Sequence, residues 1–343
     1  MMSSPPSASV QQDPTIADFL AKQGEADATL LPLPGDASAR RYMRLDGRGR
    51  MLMQDPSDPA GFAGFVSLAR HLTELGLSAP QVYGADPDTG LALIEDFGTQ
   101  TYSVQLAAGR DESMLYALAV DALLHLHHHP QAASVQVPAY DLATLLEELS
   151  IFSHWFAPTL RPDIDPEAFD AEFRDLWREP LTLSLSGPRT LVLRDFHVDN
   201  LMELSDRDGV RRCGLLDFQD GVTGPAEYDL VSLLQDARRD LEPGLDQAML
   251  NRYIAAAPEA AGGADAITRR YHLLGAQRHT RIAGVFLRLH QRDGKPGYLH
   301  FLPRVLRQMQ VGLDAAGLTE VIAYLDQTLP GWRGAGPALA KAG

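Results

Sequence analysis

Between residues 190 and 220 the chain reads Thr190-Leu-Val-Leu-Arg-Asp-Phe-His-Val-Asp-Asn200-Leu-Met-Glu-Leu-Ser-Asp-Arg-Asp-Gly-Val210-Arg-Arg-Cys-Gly-Leu-Leu-Asp-Phe-Gln-Asp220. Three short apolar runs alternate here with two polar clusters, Arg194 to Asn200 and Asp217 to Asp220, and Ser205 to Gly209 is rich in turn formers. Folding the second and third runs about that turn sets Asn200 near Leu215, so Asn200 and Asp217 leave the same end of a two-stranded hairpin. Asp195 stands at the exit of the preceding strand. One carboxylate able to take a proton, with an Asn and an Asp able to share an oxygen-ligated cation, is the set that Mg²⁺-assisted phosphoryl transfer requires.

Outward from this island the pattern changes on each side. Toward the N-terminus, Arg41 to Leu45 and Arg50 to Gln54 flank Asp46-Gly-Arg-Gly and read as a hairpin. Phe62, Phe65, Leu68, Ala69, Leu72 and Leu75 then recur at helical spacing up to a stop at Gly76. Pro80 to Tyr83 and Leu91 to Ile94 supply two further strands, ending at Glu95-Asp-Phe-Gly98. Helical periodicity dominates elsewhere, over Met114 to Leu126, Tyr140 to Phe156, Phe169 to Trp177 and most of the chain from Leu230. The expectation is an α+β fold in two lobes. A nucleotide-binding sheet with one helix occupies residues 15–97, and a larger helical lobe carrying the β island occupies 98–330. Residues 1–14 and 331–343, rich in small and polar residues, read as flexible ends.

Composition excludes several alternatives. The 343 residues carry a net charge of −15, which disfavours a nucleic-acid backbone as partner. Lysine occurs only at Lys22, Lys295 and Lys341, and the one Gly-Lys pair runs into Pro296, so no Walker-type loop exists. The lone Cys213 permits neither an internal disulfide nor a cysteine-cluster zinc site. No apolar run reaches the length of a membrane span, and the first residues lack the features of a signal peptide. A soluble, cytoplasmic protein without a membrane partner is expected. Four histidines, His125 and His127 to His129, end a helix before Pro130. They read as complements to the helix dipole rather than as metal ligands.

The spacing of Asp195, Asn200 and Asp217-Phe218 resembles the catalytic and metal-binding loops of eukaryotic-type kinases. Within these it is similar to the aminoglycoside phosphotransferase/choline kinase group. Longer strings resemble the anomeric N-acetylmuramate/N-acetylglucosamine kinases: Gly35-Asp-Ala-Ser-Ala-Arg-Arg-Tyr42, Leu193 to Leu201, Gly214 to Asp220, Tyr228 to Arg239, and Gln277 through Arg288. The resemblance implies a protein-kinase-like fold with ATP and Mg²⁺ as cofactors. Asp195 would be the catalytic base, with Asn200 and Asp217 as the metal ligands. Gly35 and Ser38 would form the turn over the phosphates, and Glu95 and Phe97 the hinge beside adenine.

The resemblance also implies transfer to the anomeric hydroxyl of an amino sugar in peptidoglycan recycling, with a uridylyltransferase as the next step in the pathway. N-acetylmuramate bears a carboxylate, which an arginine suits, and Arg278 and Arg281 are the candidates. The sequence departs from the wider kinase pattern in several respects: Leu193 stands where a His is usual two residues before the base, and Arg194 where aminoglycoside kinases carry Gly. Gln54 stands where a strand lysine normally meets the phosphates, and Phe65 stands where its helix glutamate partner would be, leaving Arg40, Arg41 and Arg44 as candidate cations. A kinase for an aminoglycoside- or choline-like acceptor is an alternative. So is a regulatory ATP-binding pseudokinase, motivated by the missing ion pair.

Overall fold

The computed structural model describes residues 13–34 and 40–341. Gly35 and Ser38, the expected phosphate turn, lie outside the described residues. The chain divides into two compact units, Met1–Val137 with Asp195–Gly221, and Pro138–Arg194 with Val222–Gly343. The boundary expected at residue 97 is therefore not where the packing divides. Residues 98–137 and the whole 195–221 hairpin segment pack with the sheet.

The first unit is built on a five-stranded antiparallel sheet ordered β1-β2-β3-β5-β4. Its strands are β1 (Leu30–Pro32), β2 (Arg41–Leu45), β3 (Arg50–Gln54), β4 (Val82–Asp86) and β5 (Leu91–Glu95). The β2–β3 turn works because Gly47 and Gly49 adopt positive φ of 67° and 60°, a region closed to most side chains. α1 (Pro14–Lys22) starts at a proline behind Asp13, whose carboxylate accepts from the Thr15 amide. Residues 13 and 14, read as part of the flexible lead-in, thus begin a helix. Ile16, Phe19 and Leu20 of α1 close over Leu30, Met43, Leu45, Leu52, Leu91 and Leu93 of the sheet. Fully burying each such side chain contributes about 1.5–3 kcal/mol.

α2 (Pro59–Glu74) buries the five positions that the helical spacing marks from Phe62 to Leu72, and Gly76 follows at φ 82°. α3 (Tyr102–Ala107) and α4 (Glu112–His128) complete the unit. The hairpin strands Leu201–Glu203 and Cys213–Leu215 pair with Leu201 opposite Leu215. Asn200 therefore faces Leu216, next to Leu215 as the turn suggested, and its carbonyl accepts from the Leu216 amide at 2.9 Å. At the end of α4, His125 reaches the Leu75 carbonyl at 2.7 Å. Burial pushes the His127 imidazole down to about 3, so that ring is neutral at physiological pH and adds no charge to the helix end.

The second unit is mostly helical. α5 (Leu142–Ile151) continues through a π-turn (Phe152–Phe156) into Ala157–Leu160. α6 (Pro166–Ser184) extends past Pro180, because the added turn buries Leu181 and Ser184 completely. Then follow α7 (Glu227–Leu234), α8 (Leu245–Ala256), the 28-residue α9 (Ala264–Gln291), α10 (Leu302–Ala315) and α11 (Thr319–Thr328). α9 is the axis of this unit. Gly284 lets it approach Ile151 so closely that an added Cβ would lie 2.5 Å from the Ile151 carbonyl oxygen. Arg189–Val192 does not join the hairpin strands but pairs antiparallel with Val222–Pro225. Trp332, placed in the flexible tail by composition, is fully buried. Among the described residues no helix is long and apolar enough to cross a membrane.

Candidate active site

In the first unit the loop after Asp195 is tied down by its own backbone. The Asp195 carbonyl accepts from the His197 amide at 3.1 Å, and the His197 carbonyl from the Asn200 amide at 2.8 Å. Phe196 and Val198 are buried anchors, and the Val198 carbonyl accepts from Ser103 at the start of α3. The Asp195 carboxylate is half-buried and makes no hydrogen bond or ion pair among the described residues. A carboxylate left uncommitted in this way has both oxygens available to receive a proton.

Asn200 joins the loop to the second cluster. Its Nδ2 donates to the Asp195 carbonyl at 3.0 Å and to Asp217 Oδ2 at 3.3 Å. Asp217 Oδ1 accepts from Gln219 Nε2 at 2.7 Å. Asp217 adopts φ 55°, a left-handed conformation uncommon for a residue with a side chain, and it is exposed at the hairpin end. Phe218 behind it is fully buried and stacks on Phe65 of α2 at 5.3 Å with an interplanar angle of 12°. The structure thus brings together the three residues singled out by spacing. With the Asn200 amide nitrogen engaged, its oxygen and the Asp217 carboxylate form a pair of hard oxygen donors that fits a small divalent cation.

One cation stands out among the three strand arginines. Arg44 is bound by Asp96 and the Gly98 carbonyl, and Arg41 is exposed. Arg40 is nearly buried, donates from Nε to Asp55 at 2.9 Å, and lies over the Phe65 ring at 5.6 Å. Burial opposes its charge, but Tyr42 and Asp55 outweigh burial and its pKa ends raised. Burial raises Tyr42 too. The Arg40 guanidinium pulls it back, while the Asp217 and Asp55 carboxylates add to the rise. Arg40 and Asp217 therefore both act on one phenol. The expected hinge residues are also placed: Glu95 pairs with Arg207, whose guanidinium lies 5.1 Å over the Phe97 ring. Phe97 lies so near Gly214 of the hairpin that a Cβ there would come within 3.1 Å of it.

In the second unit, Asp229 of α7 is fully buried and accepts from the amides of Leu193 at 2.6 Å and Arg194 at 2.9 Å. Arg194 is held at φ 70°, and it immediately precedes Asp195 in the chain. Spacing did not mark Asp229, which shares the first turn of α7 with a second carboxylate, Glu227. Glu148 accepts from Arg194 at 2.5 Å, from Tyr140 at 2.5 Å and from Gln277 at 3.3 Å, with Arg281 at 3.3 Å. Arg278 is buried and donates to the Tyr228 hydroxyl at 3.0 Å and the Arg194 carbonyl at 3.4 Å. The two candidate substrate arginines are therefore also supports for Arg194.

Residues 29–267 match the model of the phosphotransferase enzyme family. A Caulobacter vibrioides protein named N-acetylmuramate/N-acetylglucosamine kinase is 36% identical over 94% of this chain and 98% of its own. A Pseudomonas aeruginosa protein of the same name is 34% identical over 88% and 89%. Among solved structures, a choline/ethanolamine kinase family protein from Mesorhizobium loti superposes with a TM-score of 0.61 at 16% identity, covering 92% of this chain and 99% of that one. The ADP-bound aminoglycoside phosphotransferase APH(2'')-Ib gives 0.59 at 17% identity, over 89% and 99%. These likenesses show the kinase-like α+β fold.

Proposed function

The chain belongs to the phosphotransferase enzyme family and is an enzyme that moves a phosphoryl group onto a hydroxyl acceptor, and from that premise we propose that it phosphorylates the anomeric hydroxyl of N-acetylmuramate, N-acetylglucosamine or both at the expense of ATP. The observation that carries the chemistry is the Asp195–Asn200–Asp217 set on one hairpin end. The names of relatives at 34–36% identity support the amino sugar as acceptor.

In this reading Asp195 accepts the proton of the anomeric hydroxyl as its oxygen attacks the γ-phosphorus. The bond from the γ-phosphorus to the bridging oxygen breaks, and ADP leaves with the sugar 1-phosphate as co-product. Asn200 and Asp217 would hold Mg²⁺, which when bound supplies charge neutralisation on the phosphates. Arg40 adds a fixed positive charge close to the Tyr42 phenol, on which Asp217 also acts, in a sheet that lacks the strand lysine. Asp229 and Glu148 set Arg194, and through it the direction in which the chain enters Asp195. In this reading the product is a sugar 1-phosphate suited to uridylylation, as a step in peptidoglycan recycling would require.

Phosphoryl transfer followed by phosphorus NMR tests the reading, with N-acetylmuramate, N-acetylglucosamine, an aminoglycoside and choline offered in parallel. A sugar 1-phosphate resonance that disappears in Asp195→Asn is the expected result. Transfer to an amine-bearing acceptor alone would discard the sugar. ATP binding without transfer to any acceptor would favour a regulatory role.

A further inference from the structure

Within the first unit, α2 presents two faces. One carries Phe65, stacked on Phe218 beside Asp217, and near it Gly64, where an added Cβ would lie 3.5 Å from the Gln219 carbonyl oxygen. On the other, Phe62, Val66, Arg70 and Glu74 follow at four-residue spacing and so form one row. That row lines a cleft of about 540 Å³, together with Ala85 and Pro87 at the end of β4 and with Val135 and Gln136 near the end of the unit. His71, on the same helix, ties the last of these walls in place, with its Nε2 3.2 Å from the Ala132 carbonyl oxygen.

The two charges in that row are unspent. Arg70 and Glu74 are exposed and make no hydrogen bond or ion pair among the described residues, with each other or with a neighbour. Arg four residues ahead of Glu is the less favourable order on a helix, which fits their failure to pair. The backbone amides and carbonyls of Val135 and Gln136 likewise make no hydrogen bond among the described residues. The cleft thus combines an apolar floor at Phe62 and Val66, a cation and a carboxylate one helical turn apart, and main-chain donors and acceptors. Its volume is that of a small-molecule site. Positions 70 and 74 are separated by about 6 Å along the helix axis, and two extended residues span about 7 Å. A free dipeptide therefore sets its carboxylate at Arg70 and its ammonium at Glu74 while its amide meets the backbone of Val135 or Gln136.

We propose that this cleft binds a dipeptide with free termini and apolar side chains, and that its occupancy is linked through α2 to metal and nucleotide binding at Asp217. The linkage has a material basis in Phe65, which belongs to the helix that lines the cleft and stacks on the ring next to Asp217. A ligand that restrains one face of that helix biases the other, and the effect is reciprocal. Peptide binding is independent of the amino-sugar reading, and the linkage rests only on Asp217 meeting metal and nucleotide.

Isothermal titration of the full chain with leucyl-leucine tests the site. Saturable binding is expected, weakened about tenfold in Arg70→Gln and in Glu74→Gln. The wild type shows the same loss when the peptide is offered as its C-terminal amide or with its amine acetylated, and those two arms need no variant to fold. Arg70→Gln is indifferent to the amidation and Glu74→Gln to the acetylation. Absence of saturable binding, or an affinity indifferent to both termini, overturns the inference. So does self-association of the chain that Arg70→Gln abolishes, since the face then belongs to a second copy. The affinity for ATP with Mg²⁺, titrated without an acceptor, changes at least about fivefold when leucyl-leucine is saturating. An unmoved affinity overturns the linkage. A wild-type chain that binds no ATP overturns the nucleotide reading and the linkage with it, and the peptide titration still decides the site.

Discussion

Arg40 offers the sharpest test of how this enzyme manages phosphate charge without a strand lysine. Its side chain is 9% exposed and that of its partner Asp55 is 5% exposed. Replacing Arg40 by Met strands a buried carboxylate, which costs about 3–5 kcal/mol of stability, so lost activity in that variant alone would be ambiguous. Replacing both partners, as Arg40→Met with Asp55→Leu, removes the charges together. Exchange of a buried ion pair for packed apolar side chains is commonly neutral or stabilising by about 1–4 kcal/mol, so the double variant regains the thermal midpoint of the wild type. Its catalysis does not recover. A fixed cation facing transition-state charge contributes about 2.7–4 kcal/mol, equivalent to about 10²–10³ in kcat, when one such donor is removed. The assay is steady-state transfer with a coupled ADP readout, alongside thermal unfolding of the wild-type, single and double variants. A double variant with restored stability and kcat within about threefold of wild type would refute the role given to Arg40, leaving the pair as structural.

Two further outcomes are expected. Asp229→Asn replaces an acceptor by a donor opposite the amides of Leu193 and Arg194, losing one charge-assisted bond of about 1.5–3 kcal/mol and facing donor against donor. Because Arg194 leads directly into Asp195, kcat falls by about 10²-fold while KM for ATP moves little, a split that steady-state kinetics reads directly. Glu203 is held below the usual carboxylate range, first by its hydrogen bond with Arg110 and then by Arg212. Its folded pKa is depressed, so its contribution is present above the unfolded value and is lost as pH falls through the lowered one. Arg110→Gln weakens that depression and shifts the acid-unfolding midpoint upward, as followed by far-UV circular dichroism between pH 7 and 2; an unchanged midpoint would remove Glu203 from the account.

The features legible in sequence are those written locally. The β2–β3 hairpin announces itself by Asp46-Gly-Arg-Gly, and α2 by a run of apolar residues at helical spacing, because both depend on neighbours within a few positions. The proximity of the three candidate residues was legible for a related reason: the Asp195–Asn200 loop and one hairpin bring them together, and a local hairpin preserves spacing. What escaped was non-local. Arg189–Val192 finds its partner thirty residues on, in Val222–Pro225, across an inserted hairpin, and nothing in either apolar run specifies that choice. The hairpin itself pairs in continuous register, with Asn200 near Leu215 as its turn suggested, around a connection that ends in a 3₁₀ segment, Gly209–Arg212. Arg40 could not be told from Arg41 and Arg44 before burial was known, since all three are arginines on or beside one strand and only Arg40 is folded against Asp55 and Phe65. Asp229 shows the same limit from the other side. A buried carboxylate is costly unless it is hydrogen-bonded, and its partners here are backbone amides, which every sequence possesses and none advertises. Spacing can therefore find the residues proposed to meet substrate, whereas the residues that orient them are found by asking which buried charges the fold has had to satisfy.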